Sequence, residues 1–276
     1  MKKAILFMLI STASFSIMNA IIKYLDHIPG FQLVFFRSLT SCVFATTYLL
    51  SRNINLLGNQ RKLLVLRAIT GLVSMSLFFF SFKYLNVGTA VSLRYIAPIF
   101  AALFAVLFLK EKIKPVQWLF FLIAFLGVLM LKGFDESMST LGLALVILAS
   151  LFTGMVYILI RKIGKGDHPV VVVNYFMFLA TLIGGALSSF SWIQPQEWDW
   201  LLLGSLGVFG YVGQVYMTKA FQAAPTHIVA PIKYAEVIFT IGIGVFWFGD
   251  TYTLLSFLGL FMIIAGLMGN TLVKKT

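Results

Sequence analysis

The sequence predicts an all-α polytopic membrane protein, with ten transmembrane helices forming two inverted five-helix repeats. Three observations carry this expectation. The 276 residues are 60% hydrophobic and only 11% charged, against about 25% charged in an ordinary soluble domain. The apolar residues gather into ten runs close to the roughly 20 residues that a spanning helix needs. The basic residues concentrate in alternate gaps between those runs, and the two halves of the chain repeat one another. A soluble domain of this length cannot hide so much apolar surface, so a soluble enzyme and a DNA-binding protein are excluded. The net charge of +12 belongs to the gaps and is no nucleic-acid signal.

The first run, 4–22, follows Lys2-Lys3. It resembles a secretory leader, but its length exceeds the usual leader core and it has a counterpart in the second half, so it reads as a membrane helix. The second, 31–50, carries Arg37 and the single cysteine, Cys42. One cysteine excludes a disulfide framework and a Cys-based metal site. The third, 64–82, contains Arg67. The fourth, 88–109, contains Arg94 and is interrupted by Pro98, which removes a backbone hydrogen bond and frees a carbonyl. The fifth and sixth are 116–131 and 140–160. The seventh, 170–191, leads into a loop bracketed by Trp192, Trp198 and Trp200, as an interfacial aromatic belt would. The eighth, 200–218, bears Gly204, Gly207, Gly210 and Gly213 as a slowly precessing stripe suited to close helix contact. The ninth, 226–248, starts between Pro225 and Pro231 and contains Lys233 and Glu236. The tenth is 252–272. The runs are too long and lack the period-two alternation of a membrane barrel.

Orientation follows from the basic residues. Lys2, Lys3, Arg52, Arg61, Lys62, Lys110, Lys112, Lys114, Arg161, Lys162, Lys165, Lys219, Lys274 and Lys275 lie on the side of the N-terminus. Only Lys23, Lys83 and Lys132 lie opposite. Both termini are therefore expected in the cytoplasm, with the chain in the cytoplasmic membrane.

Placing LRYIAPIFAALFAVLFLKEK (93–112) over IKYAEVIFTIGIGVFWFGDT (232–251) aligns Arg94 with Lys233, Tyr95 with Tyr234, Glu111 with Asp250 and, beyond the quoted segments, Gly127 with Gly266. The repeats divide as 1–133 and 138–276. Each holds five spans, so the second enters the membrane from the opposite side. Such inverted repeats build transporters with a site near the midplane at the repeat interface.

On these motifs the chain resembles the drug/metabolite transporter superfamily, in particular permeases with two EamA domains. The resembling parts are FFRSLTS (35–41), the segment 66–113, and AAPTHIVAPIKYAEVIFTIGIGVFWFGD (223–250). The resemblance implies ten helices around a central cavity, with the fifth and tenth peripheral, and metabolite transport. The first half is most similar to the riboflavin and S-adenosylmethionine uptake branch. Glu111 matches the family's acid at the end of the fourth helix, Asp250 is a shorter variant of it, and Val237 stands where the second half would repeat Pro98.

Ionisable residues inside a membrane are costly and are functional candidates. Arg37 lies about 9 Å from the outer end of its span, Arg94 at similar depth, and Lys233 and Glu236 roughly 10–16 Å from the inner end of theirs, at 1.5 Å per residue. Three cations and one carboxylate favour an anionic or zwitterionic solute, since a guanidinium grips a carboxylate or phosphate with two parallel bonds. The blander alternatives are arginines snorkelling to headgroups and a Lys233–Glu236 pair, three residues apart on one face, that merely eases insertion. Asn19, Tyr157 and Gln214 are further candidate contacts. Asn174, Tyr175, Tyr211 and His227 complete the polar set at depth. Tyr95 and Tyr234 are candidates to stack on a planar solute, and Pro98 and Pro231 mark helix breaks. No metal site, catalytic residue or cofactor is expected. The expected partners are a small-molecule solute and the bilayer, without nucleic acid; a second copy of the chain is a further candidate. The leading function is a secondary transporter working by alternating access. The alternatives are a transferase acting on lipid-linked substrates and a passive channel.

Overall fold

The computed structural model describes residues 1–85, 87–132, 139–249 and 254–273. Asp250, Lys274 and Lys275, which entered the repeat and charge readings, lie outside them. Among the described residues the regular structure is helical throughout. Helices α1 (Lys2–Tyr24), α2 (Gly30–Ser51) and α3 (Arg61–Ser81) are followed by a fourth run split into α4 (Val87–Arg94) and α5 (Ala97–Leu109). Next come α6 (Pro115–Lys132), α7 (Thr140–Ile163), α8 (Pro169–Ser188) and α9 (Asp199–Ala223). The ninth run is also split, into α10 (Thr226–Val229), a 3₁₀ turn over Ala230–Tyr234, and α11 (Ala235–Phe248), and α12 (Leu254–Leu272) closes the chain. Among the described residues seven helices are long and apolar enough to cross a membrane, counting Thr226–Phe248 as one, and three shorter apolar helices accompany them. The breaks explain part of the difference from ten continuous spans: the fourth run is divided into 8 and 13 residues. The eighth run, α9, extends to Ala223, more than a turn beyond the expected 218.

Helical spans satisfy their backbone groups internally, which lipid demands. Their side chains then decide the packing. α1 packs on α9 and α11, α2 on α8 and α9, α3 on α7 and α8, and α5 on α7. Exchanging α1 with α7, α2 with α8, α3 with α9 and α5 with α11 maps this pattern onto itself. The caps repeat as well: α5 ends on Lys110 and α11 on Gly249, both left-handed, at φ +54° and +66°.

Small residues set the closest approaches, as in other helical membrane proteins. Gly127 of α6 and Gly266 of α12 mark the crossing of those two helices. A Cβ on Gly127 would stand 2.5 Å from the Gly259 carbonyl oxygen, and one on Gly266 would stand 2.7 Å from that of Phe120. On α9, Gly207 faces Thr40, Gly210 faces Arg37 and Gly213 faces Phe15, whereas Gly204 meets nothing within 4 Å. Ser11 Oγ donates to the Gly213 carbonyl (2.7 Å) and Ser41 Oγ to that of Gly207 (2.8 Å), tying α1 and α2 to α9. The exposed apolar side chains Leu103, Leu107, Phe108, Phe246 and Phe261 suit a lipid-facing surface. Trp192, Trp198 and Trp200 are all exposed.

Candidate functional site

Two helix breaks meet beside one cavity. α4 ends at Arg94, and α5 begins at Ala97 with Pro98 in its first turn. Between them the Ile96 amide reaches back three residues to the Leu93 carbonyl (3.1 Å), a tighter closure than an α-turn. In the second half, Pro231 and Lys233 sit within the 3₁₀ turn and Glu236 opens α11. A cavity of about 180 Å³ lies against both breaks. Its walls include Asn19 of α1, Arg37 of α2, Arg67 and Ser74 of α3, and Arg94, Tyr95 and Pro98 at the first break. Thr153 and Tyr157 of α7, Phe176 of α8, Gln214 of α9, and Lys233 and Glu236 at the second break complete them.

The Lys233 ammonium donates to one oxygen of the Glu236 carboxylate, and the Asn19 amide donates to the other at 3.1 Å. Ser16 Oγ donates to the Glu236 carbonyl at 2.9 Å, anchoring the start of α11 to α1, and Thr240 Oγ1 of α11 donates to the same carbonyl at 2.8 Å. Each cation lies near an aromatic ring. Lys233 is 4.2 Å from the centre of Phe15, Arg94 4.3 Å from Phe78 and Arg67 4.4 Å from Phe176, within the range where the ring quadrupole attracts a cation. Arg67 Nη2 donates to Gln214 Oε1 at 3.0 Å. Tyr157 is stacked on Phe221, with ring centres 4.4 Å apart.

The sequence candidates Arg37, Arg94, Tyr95, Lys233, Glu236, Asn19, Tyr157, Gln214 and Pro98 therefore share one cavity. Tyr234 and Pro231 lie outside its walls. Tyr234 is fully buried in a cluster with Tyr95, Phe121 and Ala124. The remaining polar set makes structural contacts. Asn174 Oδ1 accepts from Thr46 at 3.2 Å, Tyr175 donates to the Leu57 carbonyl at 2.8 Å, and Tyr211 stacks on Phe44.

Arg67 is the charged cavity residue that the sequence candidates omit. It sits six residues into α3, where snorkelling to the headgroups is the ordinary outcome. Instead its side chain turns inward and is 1% exposed. The available signal was Gly71, four residues on and so on the same face. A Cβ there would stand 3.2 Å from Arg67 Nη1.

Polar latches join the two halves outside the cavity. The Glu111 carboxylate accepts from the backbone amides of Thr226 (3.0 Å) and His227 (3.3 Å), contacts His227 Nδ1 at 2.7 Å, and lies 3.7 Å from Arg161 Nε. Burial pushes this carboxyl up, but the His227 side chain and the two amides outweigh it and hold it below the usual carboxylate range. Nearby, the Asp167 carboxylate accepts from the amides of Asn59 and Gln60 at the start of α3. At the other end of the bundle, His27 lies 3.0 Å from Asp199, and Gln32 exchanges two hydrogen bonds with the backbone of Ile193.

The EamA-like transporter family matches the chain twice, over residues 2–132 and 140–272. The pseudopaline exporter CntI of Pseudomonas aeruginosa strain UCBPP-PA14 is 27% identical over 280 residues, covering 100% of this chain and 98% of its own length. The S-adenosylmethionine uptake transporter of Rickettsia conorii is 24% identical over 245 residues, covering 88% and 83%. A solved crystal structure superposes with a TM-score of 0.87 over 99% of this chain and 97% of the other, at 15% identity, a likeness of fold.

Proposed function

The chain belongs to the EamA-like transporter family, and from that premise we propose that it is a secondary transporter carrying an anionic or zwitterionic metabolite by alternating access. One observation carries the reading: a cationic cavity, built by both halves, lies where the fourth and ninth runs break. Broken helices supply tightened backbone and hinge positions around a midplane site. Arg37 and Arg94 grip the acidic part of the solute. The Lys233–Glu236 pair opens when the solute competes for Lys233, leaving Glu236 able to exchange a proton with the cavity. Tyr95 and Tyr157 offer ring faces to a planar portion.

The ten runs cross the cytoplasmic membrane as two inverted units, 1–133 and 138–276, with both termini in the cytoplasm. The exchange of helix contacts between halves supports this reading, as does the concentration of basic residues on one side. In that orientation the Glu111 and Asp167 latches close the cytoplasmic end, and alternating access requires them to part.

Protein reconstituted in sealed vesicles tests the function. A thermal-shift screen of metabolites finds the solute, because a ligand at 100 times its Kd stabilises by about 2.7 kcal/mol. Saturable uptake and counterflow of that solute are expected. A linear, non-saturable flux with no counterflow would indicate a pore.

A further inference from the structure

The cavity holds more positive charge than the protein neutralises. Arg37, Arg67, Arg94 and Lys233 line it, and Glu236 is the one carboxylate among the lining residues, so four cations against one anion leave +3. Glu236 is engaged by Lys233 and Asn19. Among the described residues no carboxylate lies within ion-pair distance of Arg37, Arg67 or Arg94. Arg37, Arg67 and Arg94 are like charges in the wall of one cavity. Arg67 bonds Gln214 through Nη2, yet its Nε and Nη1 have no protein partner, and neither has Nε of Arg37. Buried donors without partners are rare and costly.

The backbone makes room for these groups. A Cβ on Gly71 would stand 3.2 Å from Arg67 Nη1, and one on Gly210 would stand 3.1 Å from Arg37 Nε. A purely structural role does not explain this, because an unpaired buried charge is worse for stability than an apolar side chain of the same volume. Snorkelling does not explain it either, since Arg67 is 1% exposed. Arg67 lies six residues from the start of α3, and Arg37 seven from the start of α2. If consecutive helices cross in opposite directions, the two guanidinium groups approach the cavity from opposite ends.

Resting on the transporter reading, we infer that the solute carries at least two separated anionic groups. One is bound by Arg67 with Gln214, and the other by Arg37 and Arg94. Two such charges bring the cavity to +1 and three bring it to neutrality, whereas a monoanion leaves +2 in low dielectric. Arg67 is then the residue that selects multivalent over monovalent acids.

The test uses the full-length protein in detergent and a carboxylate series, citrate, succinate and acetate, at matched ionic strength, with binding read by calorimetry. The expected order is citrate tightest and acetate weakest, spanning about tenfold or more, because each added bidentate contact strengthens binding. Arg67→Gln should shrink that span to about threefold or less, because the second anionic group of succinate and citrate loses its guanidinium partner. Gly71→Ala crowds the same guanidinium without removing its charge and should shrink the span in the same direction, which keeps the test available if Arg67→Gln does not fold. Equal affinity across the series, no binding of any member, or an undiminished span in the folded variants would overturn the inference. The transporter reading fails separately. Saturable counterflow of a neutral or cationic solute unaffected by citrate would sink the two-anion site alone. Tight citrate binding without any counterflow would sink transport alone.

Discussion

Replacing Glu111 removes the group that joins the end of α5 to the start of α10. Its carboxylate, 11% exposed, accepts two backbone amides and contacts the His227 ring. Losing a helix cap costs about 0.5–2 kcal/mol, and hydrogen bonds to a charged acceptor are each worth about 1.5–3 kcal/mol net. The three contacts share one carboxylate and are not additive, so Glu111→Ala should destabilise by about 2–4 kcal/mol, and Glu111→Gln, which keeps one acceptor oxygen, by about half. At roughly 2–4 °C per kcal/mol for a chain near this length, the alanine variant should melt roughly 4–16 °C lower in detergent. The pH dependence has a definite sign. The folded-state carboxyl is held below its ordinary range, so its contribution is complete above the ordinary glutamate value of about 4.3 and is lost as pH falls through the lower folded value. The melting gap between wild type and Glu111→Gln should therefore be constant near neutrality and close only below about pH 4. Scanning fluorimetry across pH reads both. An alanine variant melting with the wild type, or a glutamine gap unchanged at low pH, would refute the reasoning.

Three further outcomes follow from the site and the topology. Arg94→Ala should abolish most transport with near-normal expression, and Arg94→Lys should restore little of it, since an ammonium cannot reproduce the guanidinium fork; full activity of the alanine variant would show that Arg94 does not hold the solute. Glu236→Gln should keep solute exchange but lose accumulation driven by a pH gradient, whereas accumulation with unaltered pH dependence would assign the Lys233–Glu236 pair to packing. Reporter fusions at Thr276 and after Lys165 should read cytoplasmic and one after Glu197 external; an external C-terminus would contradict the inverted repeat.

Composition and run length made the helices legible, because lipid allows few other ways to satisfy a backbone. Pro98 foretold the first break, since a proline cannot supply the missing amide. The second break falls at the corresponding place in the other half, at the turn holding Pro231, although Val237 stands where Pro98 would repeat. The walls of the candidate cavity were legible where an ionisable residue fell deep in a run, as with Arg37, Arg94, Lys233 and Glu236. Arg67 escaped because its distance from the helix end fits snorkelling, and only the fold shows its side chain turned inward. Tyr234 illustrates the opposite limit. The repeat pairs it with Tyr95 in sequence, but helix rotation decides which ring reaches the cavity: Tyr95 lines it, while Tyr234 packs beneath in the same cluster as Phe121.

The most direct test of alternating access uses the fact that the chain has one cysteine. In a Cys42→Ala background, Val156→Cys places a thiol of similar size in the wall of the cavity. A membrane-impermeant thiol reagent is then applied to right-side-out and to inside-out vesicles. A cavity that opens to each face in turn should be modified from both sides, and saturating solute should slow both reactions. Modification from one side only, with the other side inert in the presence and absence of solute, would contradict the account.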